Sequence, residues 1–209
     1  IHKKTERKDS EPAMPKTRIE AFTDAVIAIV MTLLVIELRE PANDTWQAFE
    51  GTGHQFFIYL ISFVSLAVYW NNHHHLFNIV KKVDGWVLWA NNLFILMMSL
   101  FPFATDWVVD YPTSLAPQIL YGGVIFGADL GYLLLGVALV RCNGKNSAIG
   151  RLFQNYRKMK ITLFMNVLAL LCGWLIHPVA VLVVNGLMLL MWFIPEKQIE
   201  QFIHRGEHE

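Results

Sequence analysis

Asp24, the run His73-His74-His75, the pair Asn91-Asn92, Asp129 and Asn166 are the side chains whose chemistry stands out, because each interrupts a long apolar stretch. Consecutive histidines raise the idea of a metal centre. Neighbouring helical residues point about 100° apart, however, and helical zinc ligands favour i, i+4 spacing. No metal and no other cofactor is expected, and a membrane enzyme built on these histidines lacks a ligand set. What remains is hydrogen bonding. A charged side chain at the centre of a membrane helix costs about 2.5–3.5 kcal/mol, so its partners matter. A belt joining Asp24, His73, His74, Asn91 and Asn166 satisfies the acid and locks the helices that carry it. The plainer alternative is that several of these residues merely tolerate the interface zone. Asp129 has no partner that spacing identifies.

Such a belt needs elements that bring its members to one depth. The 209-residue chain is 55% hydrophobic, 13% aromatic and only 16% charged. Globular chains are about 45–50% apolar and about 25% charged, so lipid is the simplest place for the excess. The formal net charge is zero, which argues against a nucleic-acid partner. Six stretches approach the roughly 20 apolar residues that span a bilayer: 19–38, 55–77, 86–107, 117–140, 160–177 and 179–195. Of the 17 basic residues, all but Arg39 fall on one side of this arrangement. By the positive-inside rule that side is the cytoplasm. The expected fold is therefore an all-α integral membrane protein of six transmembrane helices with cytoplasmic N and C termini. In that register Asp24 lies about 9 Å up the first helix from Arg18. The three histidines, the asparagine pair and Asn166 come to a similar level on the second, third and fifth helices.

Three regions follow. Residues 1–17 form a basic arm that is expected to be disordered, since 1–15 is polar and contains Pro12 and Pro15. Residues 18–195 form the transmembrane domain, and 196–209 a short cytoplasmic tail. The first apolar run carries Asp24 and lacks a small-residue cleavage pattern, so it reads as a retained helix. Cys142 and Cys172 are the only cysteines, which makes a disulfide framework improbable. His177-Pro178 marks a tight turn between the last two spans. Gly123, Gly127 and Gly131 recur every four residues on the fourth helix, the spacing that lets two membrane helices approach closely.

Wound at about 100° per residue, Phe22, Ala25, Ile29, Leu33 and Ile36 of the first helix fall within about 80° of one another. Thr32 lies about 60° to one side of Ile29, and Asp24 points away from the stripe, toward the other helices. Periodicity alone makes such a stripe a lipid or packing surface. The segment Arg18-Ile19-Glu20-Ala21-Phe22-Thr23-Asp24, however, resembles the R-x-x-x-F-S-D signature that opens the first helix of the transmembrane protein 175 potassium channel family. Ala25-Val26-Ile27-Ala28-Ile29 and the Trp70…His73-His74…Phe77 stretch are similar to that family as well. Thr23 replaces the usual serine and keeps the hydroxyl. The resemblance covers the whole chain, because prokaryotic members are single six-helix subunits; animal members carry two such units.

The resemblance implies a potassium-permeable cation channel in the plasma membrane of a prokaryote, assembled as a homotetramer in the lipid bilayer. The first helix of each subunit lines the axis. It implies an apolar constriction at Ile29, with Leu33 and Ile36 further outward, and a selectivity layer at Thr32. The signature residues Arg18, Phe22, Thr23 and Asp24, with His73, His74 and Asn91, are then a structural network that knits the helices together. Thr32 has a second reading, a hydrogen bond to the Ala28 carbonyl within its own helix. Glu37 and Glu40 either concentrate cations at the outer mouth or are solvated loop charges. No TVGYG-like loop is present, so gating by dewetting at the apolar ring is the expected mechanism. A secondary transporter of a small cation or solute is the alternative function. Such folds carry inverted repeats and helices broken at mid-membrane.

Overall fold

The computed structural model of the chain describes residues 15–154 and 156–192. Among these residues all regular structure is helical: α1 (Lys16–Ile36), α2 (Trp46–Gly51), α3 (Gly53–Asn78), α4 (Gly85–Ser99), α5 (Phe101–Asp110), α6 (Leu115–Asn143), α7 (Ala148–Gln154), α8 (Arg157–Leu175) and α9 (Ala180–Trp192). In lipid each backbone N–H and C=O must be paired within the protein, and a helix does this locally. Residues 1–14 of the expected arm and all of the expected tail lie outside the described residues, whereas Lys16 is already helical.

Among the described residues five spans are long and apolar enough to cross a membrane: α1, α3, α4 with α5 taken together as Gly85–Asp110, α6 and α8. The sixth apolar helix, α9, runs for 13 residues within the described part. The expected single third helix over 86–107 is corrected to two. Pro102 has no N–H to return to the Met98 carbonyl, so the ladder is interrupted and the chain restarts from Leu100. Leu100 N–H instead donates to the Met97 carbonyl at 3.2 Å, and Ala104 N–H to the Leu100 carbonyl at 3.0 Å. Two short helices absent from the expected layout occupy loops, α2 before α3 and α7 before α8. Thr45 caps α2 by accepting from Ala48 N–H, and Asp84 caps α4 by accepting from Val87 N–H.

The spans alternate in direction. At one end the Lys16 ammonium donates to the Phe77 and Val80 carbonyls, tying the start of α1 to the end of α3. Asn143, at the end of α6, accepts there from the Lys81 and Lys82 amides. At the other end Arg39 pairs with Asp110 at 2.8 Å. That bond raises the guanidinium further above its ordinary pKa.

Lipid tails are as apolar as the side chains, so packing and internal hydrogen bonds hold the bundle more than the hydrophobic effect does. Phe77, Phe94, Phe101 and Tyr121 are fully buried and form much of the centre. α4 packs closely on α6, where a Cβ on Gly131 would lie 2.9 Å from the Phe94 Cα. A Cβ on Gly127 would lie 2.6 Å from the Met97 sulfur. Gly123 breaks the expected row, with nothing within 4 Å of its missing Cβ.

Candidate functional site

Two faces of α1 have different environments. Ile19, Thr23, Ile27, Val30 and Leu34 are buried against the other helices. On the opposite side Phe22, Ile29, Leu33 and Ile36 are 56%, 60%, 40% and 66% exposed. Among the described residues no helix of the same subunit covers this stripe. Thr32 is exposed beside it and donates its hydroxyl hydrogen to the Ala28 carbonyl at 2.8 Å. Its oxygen lone pairs are left free to accept. Glu37 and Glu40 are exposed where α1 ends.

The buried face carries the polar network. Asn91 of α4 donates its amide to the Thr23 hydroxyl at 2.9 Å, and its amide oxygen lies 3.0 Å from His73 Nε2. An oxygen there requires a donor, so His73 holds its proton on Nε2. The His73 ring stacks on Phe77 at 4.4 Å and on Phe94 at 5.9 Å. Thr23, His73 and Asn91 are all at most 1% exposed. Three helices thus meet on one amide.

Asp24 is not part of that trio. It lies at the flank of α1, partly exposed, and accepts from the Trp70 indole N–H at 3.0 Å. The expectation that Asp24 is satisfied by His73, His74 or Asn91 is therefore corrected. At about 100° per residue the neighbouring Thr23 takes the buried direction. His74 turns the other way, with Nδ1 3.2 Å from Glu20 and Nε2 3.1 Å from Asn78. The three histidines do not converge. Arg18 and Phe22 lie exposed on α1, Phe22 along the uncovered stripe, so within one subunit they do not join the network assigned to them.

Nor is there one belt. Asn92 is exposed, and Asn166 donates to Asp129 in a separate cluster completed by the Tyr69 hydroxyl, 2.8 Å from the carboxylate. A third cluster joins Thr105, Ser62 and Tyr121, at 2.8 and 3.0 Å. Tyr69, Ser62, Thr105 and Tyr121 are not singled out by the sequence, because a hydroxyl in an apolar run reads as apolar, and Trp70 enters there only through the family resemblance. Trp70 and Tyr69 precede His73 by three and four residues, the helical spacing at which side chains share a face.

Comparison with known proteins bears on this arrangement. A family model described as endosomal/lysosomal potassium channel TMEM175 matches residues 18–102, which include the signature and the Thr23–His73–Asn91 trio. A potassium channel of Chryseobacterium sp. (strain P1-3) is 37% identical over 188 residues, 90% of this chain and 97% of that one. The endosomal/lysosomal proton channel TMEM175 of Homo sapiens is 32% identical over 108 residues, 46% of this chain and 21% of that longer protein. The crystal structure of a lysosomal potassium-selective channel TMEM175 homolog from Chamaesiphon minutus has the same fold, with a TM-score of 0.70 at 22% identity. That likeness covers 85% of this chain and 95% of the homolog.

Proposed function

This chain belongs to the TMEM175 potassium channel family, and from that premise we propose that it is a potassium-permeable cation channel of a prokaryotic plasma membrane. It is a multi-pass membrane protein of a family of channels, not of enzymes. In our reading four copies surround an axis, with α1 of each lining it. The supporting observation is the stripe Phe22–Ile29–Leu33–Ile36, a row of large apolar side chains left exposed by the described residues of the subunit. One six-helix subunit cannot enclose an axial path with a single helix, so a closed ring is required. The excess of basic residues at the end of the bundle bearing Lys16, Lys81 and Lys82 orients that end to the cytoplasm.

On this assignment Ile29 forms the narrowest ring, followed outward by Leu33 and Ile36. Four branched apolar side chains offer an ion no ligands, so such a ring closes by dewetting and opens by widening. Thr32 supplies an oxygen ring just beyond it. Its hydrogen bond to Ala28, the second reading of this residue, is present and is compatible with this role, since a hydroxyl that has given its hydrogen to the backbone still presents lone pairs to a cation. Thr23, His73 and Asn91 act behind the wall, fixing α1 to α3 and α4.

Purified protein in planar bilayers tests the function. Unitary potassium currents far above transporter turnover are expected, with a reversal potential displaced by a potassium/sodium gradient. Potassium flux at turnover rates without unitary events would instead establish a secondary transporter.

A further inference from the structure

A second polar site lies away from α1, in a cavity walled by α3, α6, α8 and α9. Ser65, Tyr69, Asp129, Thr162, Asn185 and Trp192 are among its lining residues. Asp129 stands near the middle of α6 and is 4% exposed. Among the described residues it makes no ion pair; its bonds come from Tyr69 and Asn166. An uncompensated carboxylate at this depth is costly, and membrane acids of this kind mark ligand or ion positions.

The wall is rich in oxygen, and several of its hydroxyl hydrogens are already committed. Ser65 has given its hydroxyl hydrogen to the Ile61 carbonyl at 2.8 Å, and Thr162 its own to the Lys158 carbonyl at 3.0 Å. The Tyr69 hydroxyl donates to Asp129, and the Trp192 indole to Thr162 at 3.1 Å. Asn185 donates from its amide nitrogen to the Val181 carbonyl at 2.8 Å. Its amide oxygen, on a side chain 5% exposed, is buried and has no hydrogen-bond partner among the described residues. A buried acceptor left empty costs about 1–3 kcal/mol. The cavity has a volume of about 40 Å³, enough for water or an ion of similar size.

We propose that this cavity is a second cation site, separate from the α1 stripe, which takes a monovalent cation of sodium or potassium size on the oxygens of Asp129, Asn185 and Ser65. Hard alkali cations take oxygen ligands, and a single carboxylate balances a single charge. Lys158 stacks over Trp192, with its ammonium 4.9 Å from the ring centroid, and makes no ion pair with Asp129. The cation compensates Asp129 and fastens α6 to α9. None of its ligands is on α1, so the site is structural or regulatory and does not depend on the conduction assignment.

The probe is potassium or sodium chloride added to the purified full chain in N-methyl-D-glucamine buffer, with thermal melting as the readout. Wild type should gain about 2–4 °C at several times the dissociation constant, the shift a bound ligand gives a chain of this size. Asp129→Asn and Asn185→Leu should lose that gain. Thr32→Ala should keep it, which separates this site from any ion held on the α1 face. If either cavity variant does not fold, infrared difference spectra of wild type on exchange from N-methyl-D-glucamine to potassium serve instead. Carboxylate and amide carbonyl bands should then shift. The proposal is overturned by a melting gain that survives in Asn185→Leu or vanishes in Thr32→Ala. It is equally overturned if wild type responds to pH but not to the alkali cation, which would make the occupant a proton, or if the infrared bands do not move.

Discussion

Asn91 carries more of the structure than the acid it was expected to serve. Its amide joins Thr23 and His73 in a fully buried site, whereas Asp24 bonds Trp70 at the margin of the bundle. Removing the amide strands a hydroxyl and a ring N–H, at about 1–3 kcal/mol per buried group. Asn91→Ala should therefore lower the melting temperature of the purified protein more than Asp24→Ala does. Equal losses would show that the trio is not the main tie between α1, α3 and α4. Thr32 gives a prediction of the opposite kind, function without stability. Thr32→Ala removes one oxygen per subunit from the exposed face of α1 and should reduce the potassium/sodium permeability ratio roughly fivefold, a difference of about 1 kcal/mol on the scale of a single hydrogen bond. Thr32→Ser should keep most of it. Reversal potentials in bi-ionic solutions decide, and an unchanged ratio in the alanine variant would take Thr32 out of the selectivity layer.

At the scale of elements, α1 has two jobs on two faces. Its buried face holds the helix by close packing and one hydrogen-bonded trio. Its other face is left exposed by the described residues of the subunit and, on our assignment, forms the pore wall. Ile29→Asn should raise potassium current severalfold in liposomes, because amides replace part of the ion's hydration shell and keep the ring wet. The same change at Leu33 or Ile36 should raise it less. Current unaltered in Ile29→Asn at equal protein incorporation would remove Ile29 from the axis. The break at Leu100 belongs to this scale too. It lies on α4–α5, away from the stripe, and follows from the missing N–H of Pro102, so it serves as a bend in a supporting span.

The whole molecule poses the question of number. A stripe this apolar and this uncovered must meet lipid or other copies, and the conduction reading requires copies. Mass measurement of the detergent-solubilised protein should give four subunits, and a monomer that still conducts would defeat the arrangement. Five of the expected spans and the family were legible in the amino-acid sequence, because bilayer thickness acts on long segments and needs no knowledge of neighbours. The signature from Arg18 to Asp24 was equally plain. Pairings were not. The expected single belt came apart: His73 and Asn91 joined Thr23, Asn166 went to Asp129 and not to the first helix, His74 turned to Glu20, and Thr23 displaced Asp24 from the buried position. Depth along a helix follows from counting residues, but which side chains meet depends on helix rotation and crossing. Those are set by contacts such as Gly131 against the Phe94 backbone. A rotation of about 100° exchanges one residue for the next at any interface, and only packing among all the helices fixes that angle.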